Sequence, residues 1–371
     1  MNLLKHRLWL ASAALGVIVL LGAAVSAGPA AAAPAAELDA LIARSKTESH
    51  LQIYANVGTE NWKGIVKAFN QKYPWIQVEP LDLGPAESFE RYYSETAANK
   101  HSADVLVVAS PTSWLRFIDK GELEPVEAIE GAQLPAWSKP FKGLYSFSTD
   151  PLILMYNKLT VPEAERPKSL AQLVQLTKSD PKRFQNKITT YDATGHPFAE
   201  AAHWTYVHQR GEEGWKILEA LGPVTRPENA GGSMTEKITT GEYSAAYFAS
   251  GVTTFLRTSE VGHDKILGWN LIADGTPVFV RGIGITKHAV SKASARLFLE
   301  FALSHDGQVA IGKAGLTPYR PDVKKSEVPY LTYQAIVDTI GEKNVLPILY
   351  DRALVKEEDS FLARWKKVFK L

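Results

Sequence analysis

Four short turns carry the residues whose types and spacing suit binding chemistry: Gly58-Thr59, Ser110-Pro111-Thr112-Ser113, Thr194-Gly195 and Ser250-Gly251. Glycine lets a ligand approach the backbone closely. Serine and threonine supply hydroxyl donors, although each is equally suited to plain helix capping. A helix N-terminus adds unpaired N–H groups and a partial positive charge. Together these suit an oxygen-rich anion such as phosphate, phosphonate or carboxylate. Arg281 follows Val278-Phe279-Val280 and precedes Gly282-Ile283-Gly284. Its guanidinium fork fits a planar or tetrahedral anion; the alternative is a structural salt bridge, for instance with Asp274. Asp150 could meet a ligand amine or serve only as a turn residue.

The elements that must position these turns alternate between strand and helix. His50–Val57 reads as a buried strand, and Trp62, Ile65, Val66 and Phe69 follow at helical spacing. Tyr73-Pro74 stops that helix, and Ile76–Val78 reads as a second strand. Parallel pairing with a right-handed crossover is the default for such a unit. Ligands of open α/β sheets bind beyond the carboxyl ends of the strands, where Gly58-Thr59 falls. A polar helix over Glu87–Lys100 precedes Asp104–Ala109, an apolar run of the kind buried on both faces of a sheet. Ser110–Ser113 then opens a helix carrying Trp114, Leu115, Phe117 and Ile118. Two such turns from one sheet would lie side by side.

Further on, Gly143–Ser148 and Pro151–Asn157 read as two strands separated by Thr149-Asp150. Ser169 reads as a helix N-cap. Lys187–Thr190 leads into the polar turn Asp192–Gly195, and Tyr243–Phe248 leads into Ala249-Ser250-Gly251. Gly268–Ala273 and Val278–Ile285 read as strands around Asp274–Pro277. The C-terminal third is mostly helical.

Composition narrows the function classes. The chain has 371 residues, 45% hydrophobic and 22% charged, enough for two soluble domains. A formal charge of +1 is too small to suggest nucleic acid or an anionic membrane as partner. With no cysteine, disulfides, thiol catalysis and thiolate metal sites are excluded. Lys5 and Arg7 precede an uncharged apolar run from Leu8 to Ala24 and the small-residue pattern Val25-Ser26-Ala27. That is the anatomy of a signal peptide over 1–27, with a single membrane anchor as the alternative. Residues 28–36 read as an Ala-rich leader. Removing Lys5 and Arg7 brings the formal charge to about −1.

Enzyme signatures are missing: no G-x-S-x-G elbow, Walker A loop, H-E-x-x-H or complete G-x-G-x-x-G occurs. His196, His203 and His208 fit no common metal motif. Trp62, Trp114 and Trp204 could wall a cleft, but their helical spacing favours the core.

Several segments together resemble a known family. They are Leu51-Gln52-Ile53-Tyr54 with Ile65–Phe69; Ala103–Val107 before Gly121-Glu122-Leu123-Glu124-Pro125; Leu154-Met155-Tyr156-Asn157-Lys158; Pro167-Lys168-Ser169-Leu170; and Ala295–Ser304 with Gly307-Gln308 and Gly315-Leu316-Thr317-Pro318. In this order, behind a signal peptide, they resemble the periplasmic solute-binding proteins of ABC importers. The likeness is to the type 2 class with ferric-iron, polyamine and phosphonate receptors. The resemblance implies an α/β, two-lobed type 2 periplasmic-binding-protein fold with the ligand in a cleft between lobes joined by two crossing strands. The crossings should fall near Thr149–Pro151 and Ala273–Pro277. Lobe one would hold 37–149 and 275–371, and lobe two 150–274.

It also implies a periplasmic monomer that captures a small solute and presents it to an inner-membrane ABC permease. No cofactor or nucleic acid is expected. The site residues expected are Gly58, Thr59, Ser110, Thr112, Ser113, Asp150, Thr194, Gly195, Ser250, Gly251 and Arg281. Ferric receptors of the family place two adjacent tyrosines where this chain has Ala249-Ser250-Gly251-Val252. Tyr247 and Glu60 alone would not satisfy Fe(III), which needs several anionic oxygens. An organic or phosphorus-containing anion is therefore the expected solute. A ferric-iron or polyamine receptor, or a solute-sensing accessory of a receptor kinase, is the alternative.

Overall fold

The structure, a computed structural model, describes residues 29–48 and 50–371. The signal-peptide reading of 1–27 lies outside the described residues. No described helix is long and apolar enough to cross a membrane. Helix α1 spans Pro29–Ser45, so the segment expected to be a leader is helical from Pro29 onward. Alanine has the highest intrinsic helix propensity, which accounts for the difference.

The first strand–helix–strand unit forms as expected: β1 (Leu51–Ala55), α2 (Thr59–Lys72) and β2 (Val78–Asp82), with β1 and β2 parallel. Helix α3 (Glu87–Ala97), strand β3 (Val105–Val108) and helix α4 (Pro111–Asp119) continue the alternation, and β3 pairs parallel with β1. Strand β4 (Tyr145–Asn157) is continuous and buried along its whole length. The expected break at Thr149-Asp150 does not occur, because these residues pair with Val280 and Phe279 in an antiparallel ladder. Helices α5 (Leu170–Ser179) and α6 (Pro181–Phe184), strand β5 (Ile188–Tyr191) and helix α7 (Pro197–Leu221) follow. Ser169 caps α5 through its hydroxyl, which accepts from Gln172 N at 3.0 Å. Helix α7 kinks at Gly211, whose φ of 58° is left-handed and suits glycine.

The chain goes on through β6 (Thr225–Glu228), α8 (Gly231–Thr239), β7 (Ala245–Ser250), α9 (Gly251–Thr258), α10 (His263–Ile266), β8 (Leu267–Asn270) and β9 (Thr276–Ile285). Helices α11 (Lys292–Leu303), α12 (His305–Lys313) and α13 (Tyr333–Ile340), strand β10 (Val345–Ile348) and helix α14 (Arg352–Phe369) complete it. Strands run in the order β2-β1-β3-β9-β4-β7-β5-β6, with β10 on β9 and β8 on β4.

Strand β4 belongs to two sheets. Tyr145–Pro151 pairs with β9 in the first, and Leu152–Tyr156 pairs with β7 in the second. Strand β9 runs beside it, pairing with β3 through 282–285 and with β10 through 276–279. These two strands are the crossings of a two-lobed α/β fold.

Side chains on one face of the first sheet, among them Ile53, Val105 and Ile283, form a core with α2, α11 and α12. Those on the other face, among them Tyr54, Leu106 and Val280, form a second core with α3 and α4. The second sheet has its own core, and the C-terminal segment enters it. Ile336, Leu346, Leu354, Phe361, Trp365 and Phe369 all lie there. The division that placed all of 275–371 in lobe one differs from this packing. Leu354, Phe361, Trp365 and Phe369 form one apolar stripe on α14, which is buried mainly against α7, with α4 and β6 alongside.

Candidate binding cleft

A cleft of about 530 Å3 lies between the two sheets. Asn56, Val57, Gly58, Asn61, Pro85 and Arg281 line it from one side; Tyr191, His196, Phe198, Asn229, Gly231, Ser250, Val252 and Arg257 are among those lining it from the other. Helices α2, α8 and α9 start at this cleft. Their N-cap residues, Gly58, Ala230 and Ser250, make no side-chain cap. The first-turn N–H groups of three helices are therefore left without a capping side chain around one cavity. Helix α7 differs: His196 Nδ1 accepts from Ala199 N at 3.2 Å, and its Nε2–H donates to Asn229 O at 3.1 Å. Burial holds the pKa of His196 below its ordinary value, so the ring is neutral and ties two turns together.

Arg281 is anchored at the cleft base. Its Nε donates to Asp150 Oδ2 at 2.7 Å, and Nη1 donates to Asn56 O at 2.9 Å and to Asn56 Oδ1. Asn56 Oδ1 also accepts from Ala109 N, and Ser148 Oγ donates to Asp150 Oδ2 at 3.0 Å. Arg281 Nη2 has no such bond among the described residues. The salt bridge weighed for Arg281 exists, but its partner is Asp150 and not Asp274. Asp274 instead accepts from Leu170 N and Ala171 N, both at 2.9 Å, at the start of α5. Across the cleft Arg257 pairs with Glu260 at 2.8 Å and Glu236 at 3.4 Å.

The expected site residues thus separate. Gly58, Ser250 and Arg281 line the cleft. Asp150 stands behind Arg281 as its counter-ion, which leaves no role as a turn. Thr59 is exposed at the start of α2 and does not line the cavity. Ser110, Thr112 and Ser113 are buried; Ser110 Oγ donates to Ser113 Oγ, and the Asn56–Ala109 bond closes this turn off. Thr194 is exposed and bonded through N and Oγ1 to Asp192 Oδ1. Gly195 packs on Asn229, whose Oδ1 would stand 2.3 Å from an added Cβ. Gly251 is buried against Pro151 O, a close approach of α9 to the crossing strand.

The three tryptophans are core or seam residues: Trp62 packs on Phe147 and Phe298, Trp114 donates to Val108 O, and Trp204 donates to Glu357. The turn Asn229-Ala230-Gly231-Gly232 escaped sequence reading. It has the same small-residue chemistry as the others, but the strand before it contains Pro227 and is only partly buried. An edge strand tolerates both, and β6 is an edge strand.

The profile of the family described as bacterial extracellular solute-binding protein matches residues 55–309. The chain belongs to that family. It is a solute receptor, similar in fold to periplasmic substrate-binding proteins of ABC transporters. A substrate-binding protein of an ABC transporter from Agrobacterium tumefaciens aligns with a TM-score of 0.77 at 19% identity, over 88% of this chain and 97% of that one. AfuA from Actinobacillus pleuropneumoniae, with exogenous fructose-6-phosphate bound, aligns with a TM-score of 0.66 at 19% identity, over 88% and 100%. Iron-bound HitA from Pseudomonas aeruginosa aligns at 0.62 and 20% identity, over 86% and 99%. No curated protein matches the sequence.

Proposed function

We propose that this solute receptor captures an organic anion, phosphorus-containing or carboxylate, in the periplasm and delivers it to an inner-membrane ABC permease, as a monomer and with no catalytic step. The observation that carries the solute class is the convergence of three helix N-termini without side-chain caps on a cleft whose base presents Arg281. Each helix end contributes about 0.3–1 kcal/mol, up to ~2 when partly buried. A charge-assisted bond adds about 1.5–3 kcal/mol. The sum reaches the ~8 kcal/mol of micromolar binding only when the ends act together. The cleft volume of about 530 Å3 falls within the roughly 300–1,000 Å3 of small-molecule sites, so it suits an organic body.

Capture works by closure about β4 and β9, with the crossings near Thr149–Pro151 and Ala273–Pro277. The solute touches both lobes only when they are closed. The donor set argues against iron. Glu236 and Glu260 are both paired with Arg257, burial raises the pKa of the Tyr191 phenol, and Tyr247 is buried in the core. A thermal-shift screen of dialysed protein tests the proposal, with fructose 6-phosphate, phosphonates, carboxylates, polyamines and chelated iron in the panel. A solute at one hundred times its Kd stabilises by about 2.7 kcal/mol. A response confined to iron or polyamines would sink the anion reading.

Gly231→Ala should then weaken the responding anion by about tenfold or more, ~1.4 kcal/mol. An added Cβ would lie 2.4 Å from the Tyr191 phenol oxygen, displacing the cleft wall. Isothermal titration with unchanged solute affinity would contradict this.

A further inference from the structure

Glu200 is a buried carboxyl at the seam between the lobes. It is 4% exposed, and its Oε1 has no hydrogen-bond partner among the described residues. It lies in the first turn of α7, which follows β5 of the second sheet. Helix α4, which follows β3 of the first sheet, packs against α7 there, and α14 packs against both.

Two ion pairs join α14 to α4: Arg116 to Glu358 at 2.9 Å, and Arg352 to Asp119 at 2.7 Å. Glu358 from α14 opposes a charge on Glu200, and Arg116 from α4 favours one. Of the other charged groups on the packed elements, Lys356, Asp359, Lys366 and Lys367 of α14 are exposed, and those nearer the seam are held by partners of their own. Asp119 and Arg352 hold each other, Glu357 holds Trp204 and faces His208 at 3.5 Å, and Arg281 of β9 holds Asp150. Strand β10 carries no charged residue, and Lys178 of α5 is exposed. Along α7 itself, His196 and His203 are held neutral by burial. An ionised Glu200 must compete with Glu358 for Arg116.

We propose that Glu200 couples closure of this receptor to uptake of one proton at its carboxyl, so that the closed form is favoured as pH falls. Rotation about β4 and β9 shears α4 against α7 and lets water reach the carboxyl in the open form. In the packed seam of this structure, which the proposal assigns to the closed form, burial first and Glu358 second push its pKa up to about 7. In the open form it returns toward the ordinary value of 4.5. Protonated Glu200 tolerates an unpaired oxygen far better than the carboxylate does. The closed form binds the proton more tightly, so closure strengthens as pH falls from about 8 to 5 and is flat above about 8. From pH 8 to pH 6 the closed-to-open ratio should rise about tenfold.

The proposal needs closure but not the identity of the solute, so its test uses none. The chain has no cysteine, and Lys67→Cys with Lys178→Cys places one spin label on each lobe. Distance distributions are recorded from pH 5 to pH 8 without solute. The short-distance population should grow as pH falls. Glu200→Gln should hold it high and independent of pH. Glu358→Gln, which leaves α7 intact and frees Arg116, should move the midpoint downward. Identical wild-type distributions at pH 5.5 and pH 8, or a Glu358→Gln midpoint that does not move, would overturn the proposal. So would a Glu200→Gln variant that keeps the wild-type pH dependence.

Discussion

Arg281→Ala is expected to cost about 3–5 kcal/mol of stability and to remove the response to the anionic solute. The two effects have separate causes. Arg281 and Asp150 form an ion pair with side chains 3% and 2% exposed. Without the guanidinium, Asp150 keeps only the Ser148 hydroxyl as a donor among the described residues, and its Oδ1 has no partner among them already. A charge is then buried with little compensation, which is the expensive way to break a buried pair. Asn56 loses the donor on its carbonyl oxygen at the same time. The damage falls on β4 and β9, which join the lobes. Against a total of about 5–15 kcal/mol for a typical protein, this is a large share.

Denaturant unfolding measures the first effect, and thermal shift with the responding solute measures the second. A double variant, Arg281→Ala with Asp150→Ser, separates them. Removing both charges should restore much of the stability while the solute response stays lost. If the double variant binds as the wild type does, Arg281 is a structural ion-pair partner and the anion reading of the cleft base fails.

Trp365→Ala is expected to cost a similar 3–5 kcal/mol through packing alone. The indole is fully buried, stacks on Phe369 at 4.2 Å and meets His203 edge-on at 5.5 Å. Its Nε1 has no partner among the described residues, so no side-chain hydrogen bond is lost. The cavity would open beneath α14, and hydrogen exchange over 352–369 should accelerate before the rest of the molecule responds.

His203 provides a second readout. Burial depresses its pKa from 6.5 to about 3. The unfolded chain takes up a proton below pH 6.5 that the folded chain refuses. Stability therefore falls as pH drops below about 6.5, by at most ~1.4 kcal/mol per unit from this group. With the cavity open, water reaches the ring, its pKa rises and this acid dependence becomes shallower. Unchanged exchange over α14 would show that the helix is held elsewhere.

How far the site was legible follows from which signals are local. Gly58, Ser250 and Arg281 were found because a small residue after an apolar run, or an arginine inside one, is visible along the chain. Thr59, Thr194 and Gly195 carried the same local signal, yet they do not line the cavity. Side-chain direction at a turn depends on the turn's own bonds, as those from Thr194 N and Oγ1 to Asp192 Oδ1 show. The turn at Gly231 was hidden because edge strand β6 lacks the apolar pattern that marks buried strands.

The alternation of strand and helix, the parallel first unit, the buried character of β3 and the family are all readable along the chain. These follow from apolar periodicity and from residue types at helix starts, which act within a few neighbours. Packing in three dimensions is what makes Asp150 the counter-ion of Arg281, carries β4 unbroken between two sheets, brings α14 into the second core, and seals Glu200 among three helices. Each of these brings together residues far apart in the chain. Burial, which sets the cost of every charge in that group, arises only when distant elements pack.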